Sequence, residues 1–158
     1  MLIPIVVSSV FVVAVVMLCL IKPNAARIFL GLFFLVMALG INGFFTLTNP
    51  QSYVDYAGDA LIPFYRDLAL TIVELSPVGF GLLLMAFEIT MGLLLLHKHR
   101  SVKYGLIGTM VFLIGIAPLS VIQFPWLGLL IGQAYLLTKE FETSFLETLQ
   151  SRLSSRVS

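Results

Sequence analysis

"MAFEITMGLLLLHKHR", residues 85–100, sets one carboxylate, Glu88, inside an apolar run that a basic turn then stops. Working back from Glu88, the run reaches Val78, preceded by "SP" (76–77). Serine caps a helix well and proline suits its first turn, so the stretch reads as one helix over 78–96. That length crosses a hydrocarbon layer roughly 30 Å thick, which places Glu88 about 16 Å below Pro77 by helical rise. The whole chain follows this pattern. Of its 158 residues 59% are hydrophobic and only 11% charged, whereas soluble domains carry about 25% charge. This is the composition of an all-α membrane protein in one domain, 1–158.

Further spans are expected at 2–21, 28–47, 104–121 and 124–138. The first has no basic residue before it, while Lys22 and Arg27 follow it, the reverse of a cleavable signal peptide. It reads as a retained helix entering from outside. In "KPNAAR" (22–27), Asn24 is the expected cap of the next helix, and Arg27 is expected to snorkel to lipid phosphate. The stretch 124–138 is short, which leaves a bundle of five or of four transmembrane helices. Charge favours five. With the N-terminus outside, five spans put eight of the nine basic residues on the cytoplasmic side, leaving Arg66 outside. Four spans give five against four, the poorer fit to the positive-inside rule.

The loop 48–77 is then external. Its stretch "PFYRDLALTIVEL" (63–75) puts Phe64, Leu68, Ile72 and Leu75 on one face, an interfacial helix. The tail 139–158 is cytoplasmic and amphipathic, with Phe141, Phe145, Leu149 and Leu153 repeating every four residues.

Small residues line the faces along which helices meet. Gly81, Met85, Glu88 and Gly92 form one stripe, and Gly31, Leu35, Ala38, Asn42 and Phe45 another. Gly105, Gly108, Phe112 and Gly115 form a third, and Gly128 and Gly132 a fourth, with Tyr135 beside them. Such stripes let backbones approach. An ionisable group at mid-membrane faces the bundle interior, so Glu88 points inward. Depth makes Gln133 its first-choice partner, with Asn42 too near the outer end of its helix. Glu88 is either a protonated, hydrogen-bonded packing residue or a group that binds a headgroup or quinone carbonyl, or passes protons.

Several chemistries are excluded. Net charge of +1 gives no nucleic-acid footprint. Cys19 stands alone, which rules out an intramolecular disulfide, and it reads as a small buried hydrophobe. His97 and His99 lack further ligands nearby for a metal. No catalytic set or cofactor motif is present.

"ARIFLGLFFLVMALGINGFF" (26–45) resembles the opening helix of DoxX-like membrane proteins, an arginine before an apolar, glycine-bearing helix. "FEITMGLLLLHKHRSVKYGLIGTMVFLIGIAP" (87–118) is similar to that family's next hairpin. The resemblance covers about 26–138, puts Arg27, Gly31, Gly43, Glu88 and Gly92 at family-like positions, and leaves 2–21 as an added helix. It implies a four-helix core, a prokaryotic cell membrane and, for some members, a link to quinone or thiol oxidation. The expected function is a non-catalytic subunit or accessory of a membrane activity, partnered by another membrane protein or by copies of itself. The alternatives are binding or conversion of a lipophilic molecule such as a quinone or lipid beside Glu88 and, third, transport.

Overall fold

Ser76 and Pro77 start the helix that carries Glu88 as their chemistry dictates. In the computed structural model, which describes residues 2–157 and side chains through residue 154, Ser76 Oγ accepts from the Gly79 amide at 3.0 Å. Pro77 is the first helical residue, where a missing N–H costs nothing. Arg156, counted in the charge split, lies outside the described side chains.

The helices are α1 (Leu2–Ile21), α2 (Pro23–Thr48), α3 (Gln51–Gly58), α4 (Pro63–Leu75), α5 (Pro77–Leu96), α6 (Arg100–Leu119), α7 (Val121–Leu137) and α8 (Phe145–Val157). No strand occurs among the described residues. Four helices, α1, α2, α5 and α6, are long and apolar enough to cross a membrane. Helix α7 is shorter and changes type: Val121–Gly128 is 3₁₀ and Leu129–Leu137 is α. Two boundaries differ from expectation. Helix α2 begins at Pro23, with Lys22 at the cap position, and Asn24 caps nothing; its Oδ1 accepts from Arg27 Nε at 2.7 Å. Helix α6 starts at Arg100, because the basic turn winds into it.

Helices α2 and α5 run antiparallel and touch backbone to backbone. A Cβ on Gly31 would stand 3.0 Å from the Gly92 carbonyl oxygen, and one on Gly92 would stand 2.9 Å from that of Gly31. Only glycine permits this approach at both positions. Gly105 fits against Leu95 and Gly108 against the Met91 sulfur, which seats α6 on α5. Gly128 meets Val12 and Gly132 meets Cys19, which seats α7 on α1. Gly81 faces Thr46 and Tyr53. Gly115 is the exception: nothing lies within 4 Å of its notional Cβ.

Leu30, Leu95, Leu106 and Leu136 are fully buried at the centre of the resulting core. The outward face of α1 (Val6, Val7, Val10, Val13 and Met17) is exposed and wholly apolar. Water would not tolerate such a face over a whole helix; lipid chains do.

Arg27 does not snorkel. It is fully buried, with Nη1 donating to the carbonyls of Leu95 (2.9 Å) and His97 (2.6 Å) and Nη2 to that of Thr143. The Phe141 ring covers the guanidinium at 5.0 Å. The reason is the end of α5. Its last carbonyls have no partner within the helix and carry the negative end of its dipole, and a five-donor planar cation satisfies several at once.

The tail is strapped over this point. Phe141 is buried rather than displayed on a surface stripe, and its carbonyl accepts from the His99 amide at 2.7 Å. Lys98 pairs with Glu147 at 2.5 Å and Lys103 with Glu140 at 2.6 Å. Helix α8 opens with a capping box: the Ser144 amide donates to Glu147 Oε2 at 2.7 Å, and Ser144 Oγ accepts from the Glu147 amide at 3.3 Å. The Lys98 hydrogen bond, then the Ser144 amide, pull the Glu147 carboxyl down to about 2. Lys103 likewise holds Glu140 below the usual carboxylate range.

Candidate functional site

Glu88 points into the bundle and is 2% exposed. Its partner is Asn42, not Gln133: Asn42 Nδ2 donates to Glu88 Oε2 at 2.7 Å. Two structural features bring Asn42 there. The end of α2 is not level with the start of α5; Asn42 lies about 9 Å from its helix end while Glu88 lies about 16 Å from Pro77, so α5 projects beyond α2. Helix α3 fills that step. The second feature is a π-helical turn, Met37–Asn42, inside α2. Phe34, Ala38, Asn42 and Thr46 are buried at intervals of four. In an α-helix each such interval drifts by about 40°; the wider π turn holds Asn42 and Thr46 on the face toward α5. Thr46 therefore takes the inward place expected of Phe45, which is exposed at 37%.

A short polar chain continues outward from Asn42. Tyr53 Oη, from α3, donates to the Asn42 carbonyl at 3.0 Å and sits 2.9 Å from Thr46 Oγ1. The tyrosine has one proton to give, so Thr46 is the donor in the second bond. Two further bonds tie the loop helices to the far wall. Gln123 Nε2 donates to Tyr56 Oη, and Tyr65 Oη donates to the Gly115 carbonyl. This is the use of Gly115 that its place on a small-residue stripe did not reveal.

These contacts frame a cavity of about 640 Å³. Helix α5 contributes Phe80, Leu84 and Glu88 to its wall, and α2 contributes Phe33, Phe34, Met37, Ile41, Asn42 and Phe45. Helices α3 and α4 cover it with Tyr53, Tyr56, Tyr65, Leu68 and Ile72, while Phe112 from α6 and Trp126 from α7 close the back. Leu68 and Ile72, expected on an interfacial face, thus serve as lining; Phe64 and Leu75 from the same expected face stay strongly exposed. Glu88 Oε1 has no hydrogen-bond partner among the described residues, so it is the oxygen left for an occupant.

Gln133 belongs to a separate pair. Its Oε1 lies 2.7 Å from Thr109 Oγ1, both residues fully buried, and its Nε2 is unpartnered among the described residues. The pair sits one helical turn below Leu113 and Leu129, which line the cavity floor. Cys19 is buried against Gly132. Among the described residues no group of three or more His, Cys, Asp or Glu is placed to hold a metal ion.

Comparison with models of known protein families, with characterised proteins and with solved structures gives no match to this chain.

Proposed function

We propose that the chain is a small integral membrane protein of DoxX-like type that binds a lipophilic molecule bearing a hydrogen-bonding head in the cavity beside Glu88. One observation carries the reading: a membrane bundle's buried acid, with one oxygen held by Asn42, stands in the wall of a large aromatic cavity. A packing role asks only for a partner helix; it does not ask for an adjoining space. The cavity adds a ligand to the accessory-subunit expectation, which rests on packing stripes and a near absence of catalytic chemistry in the sequence. Extraction of the protein from its native membrane tests this. A stoichiometric quinone or other lipid that is lost with Glu88→Gln supports the reading; a stoichiometric protein partner and an empty cavity support the accessory role instead.

The same proposal includes five crossings, with the N-terminus outside and the tail cytoplasmic. Its support is length and charge. Eight 3₁₀ residues and nine α residues reach roughly 29 Å, close to a hydrocarbon thickness of about 30 Å. The eight-to-one distribution of basic residues agrees with it. Cysteines introduced at Ser154 and Asp59 should label from opposite faces; labelling from one face defeats the five-span arrangement.

A further inference from the structure

The cavity's charge is one-signed. Glu88 is its only carboxylate, and none of the described lining residues is Lys, Arg or His. The remaining polar lining is largely spent on the protein itself: Asn42 on Glu88, Tyr53 on Asn42, Tyr65 on Gly115 and Gln123 on Tyr56. What faces an occupant is therefore one carboxyl oxygen and many aromatic rings, among them Phe33, Phe80, Phe112, Tyr53 and Trp126. Rings with their hydroxyls engaged still offer their faces, whose quadrupoles attract cations. A carboxylate buried without a counter-charge is costly, and a cation beside it removes that cost.

From this we infer that the cavity takes lipophilic cations, ammonium or phosphonium compounds with apolar substituents, with Glu88 as counter-ion and the aromatic walls as the remaining contact. The inference rests on the reading of the cavity as a ligand site and puts a charged head in the place of a merely hydrogen-bonding one. When the cation binds, a proton held by the carboxyl passes to water and the carboxylate pairs with the cation. Proton and cation then compete for Glu88, so binding weakens in acid. The other titratable groups facing the cavity are Tyr53 and Tyr56 of α3 and Tyr65 of α4; α2, α6 and α7 present none.

Trp126 makes the test direct. It is the only tryptophan in the chain and lines the cavity, so its fluorescence follows occupancy. The full chain in detergent is titrated with methyltriphenylphosphonium and with triphenylphosphine oxide, which carry the same three rings with and without charge. The cation should bind about tenfold tighter or better, and Glu88→Gln should erase that preference while leaving binding of the oxide. Thermal unfolding of the variant checks that it is folded; if it is not, loss of cation binding to the wild-type protein on acidification, with oxide binding retained, serves in its place. Equal affinity for both probes in the wild-type protein overturns the cation inference and leaves the ligand site standing. Cation binding that survives in folded Glu88→Gln also overturns it. No response of Trp126 to either probe overturns both.

Discussion

Among the described residues the bundle buries one base and one acid, and it treats them oppositely. Arg27, at the end that carries the basic turn, is well engaged: four of its five N–H groups donate to three carbonyls and the Asn24 side chain, and the Phe141 ring covers it. Glu88, toward the loop-helix end, has one bond to a neutral amide and then open space. A buried charge with nearly all its donors engaged holds helices together and has little left to offer. A buried acid half satisfied beside a cavity contributes little to assembly and remains available. On the proposed reading, the difference separates a structural ion from a ligand-binding one more cleanly than depth in the membrane does.

Breaking the sealed end should cost most. Arg27→Gln leaves buried carbonyls unsatisfied and is expected to destabilise the protein by about 3 kcal/mol, read as a fall in the thermal midpoint in detergent. Arg27→Lys should recover only part, because a point-like ammonium cannot span the same carbonyls. If Arg27→Gln unfolds like the wild-type protein, the clasp is incidental.

Next in size is the glycine contact beside it. Gly31→Ile or Gly92→Ile forces α2 and α5 apart and should cost about 1–3 kcal/mol. The same change at Gly115, whose notional Cβ meets nothing, should leave stability unchanged, so equal losses at all three sites would contradict the packing described.

At the open end, Glu88→Gln should cost about 0.6 kcal/mol, the average for a hydrogen bond between membrane helices. A loss approaching that of Arg27→Gln would show Glu88 to be a packing residue and dissolve the contrast between the two ends.

The smallest effect concerns the strap over Arg27. Glu147 is lowered from 4.5 to about 2 in the folded protein, so its contribution is present above 4.5 and is lost as pH falls toward 2. Protease access to residues near Thr143 should rise across that window. In Glu147→Gln the change near pH 2–4.5 should shrink, since the Lys98–Glu147 pair is then gone while Lys103–Glu140 remains.

Much of this arrangement is legible in the sequence. The apolar runs mark the long helices, "SP" marks the start of α5, and an acid at mid-span must face inward. The partner of Glu88 is not legible, for a geometric reason: counting depth from helix ends assumes that the ends are level, and α5 projects past α2. The π turn compounds the error by moving Thr46, rather than Phe45, to the inner face. "SFLE" (144–147) does announce a capping box, a local signal that a search for apolar periodicity passes over. Arg27 is the harder case. Its acceptors are backbone carbonyls, which every residue has, so no side-chain pattern points to them.

The Arg27 clasp also dictates an order of manufacture. Its carbonyl acceptors lie 68, 70 and 116 residues further along the chain. A chain made from its N-terminus therefore commits this cation to the bilayer boundary long before its acceptors exist. Until residues 95 and 97 have emerged the guanidinium has none of these acceptors, and until residue 143 has emerged it lacks the third. Completion of the clasp is thus a late event, and a ribosome product cut short before Phe141 would present a part-exposed arginine and an unstrapped basic turn. Such a chain is distinguishable from the finished one at the membrane surface, where proteases that clear incomplete membrane proteins can reach it.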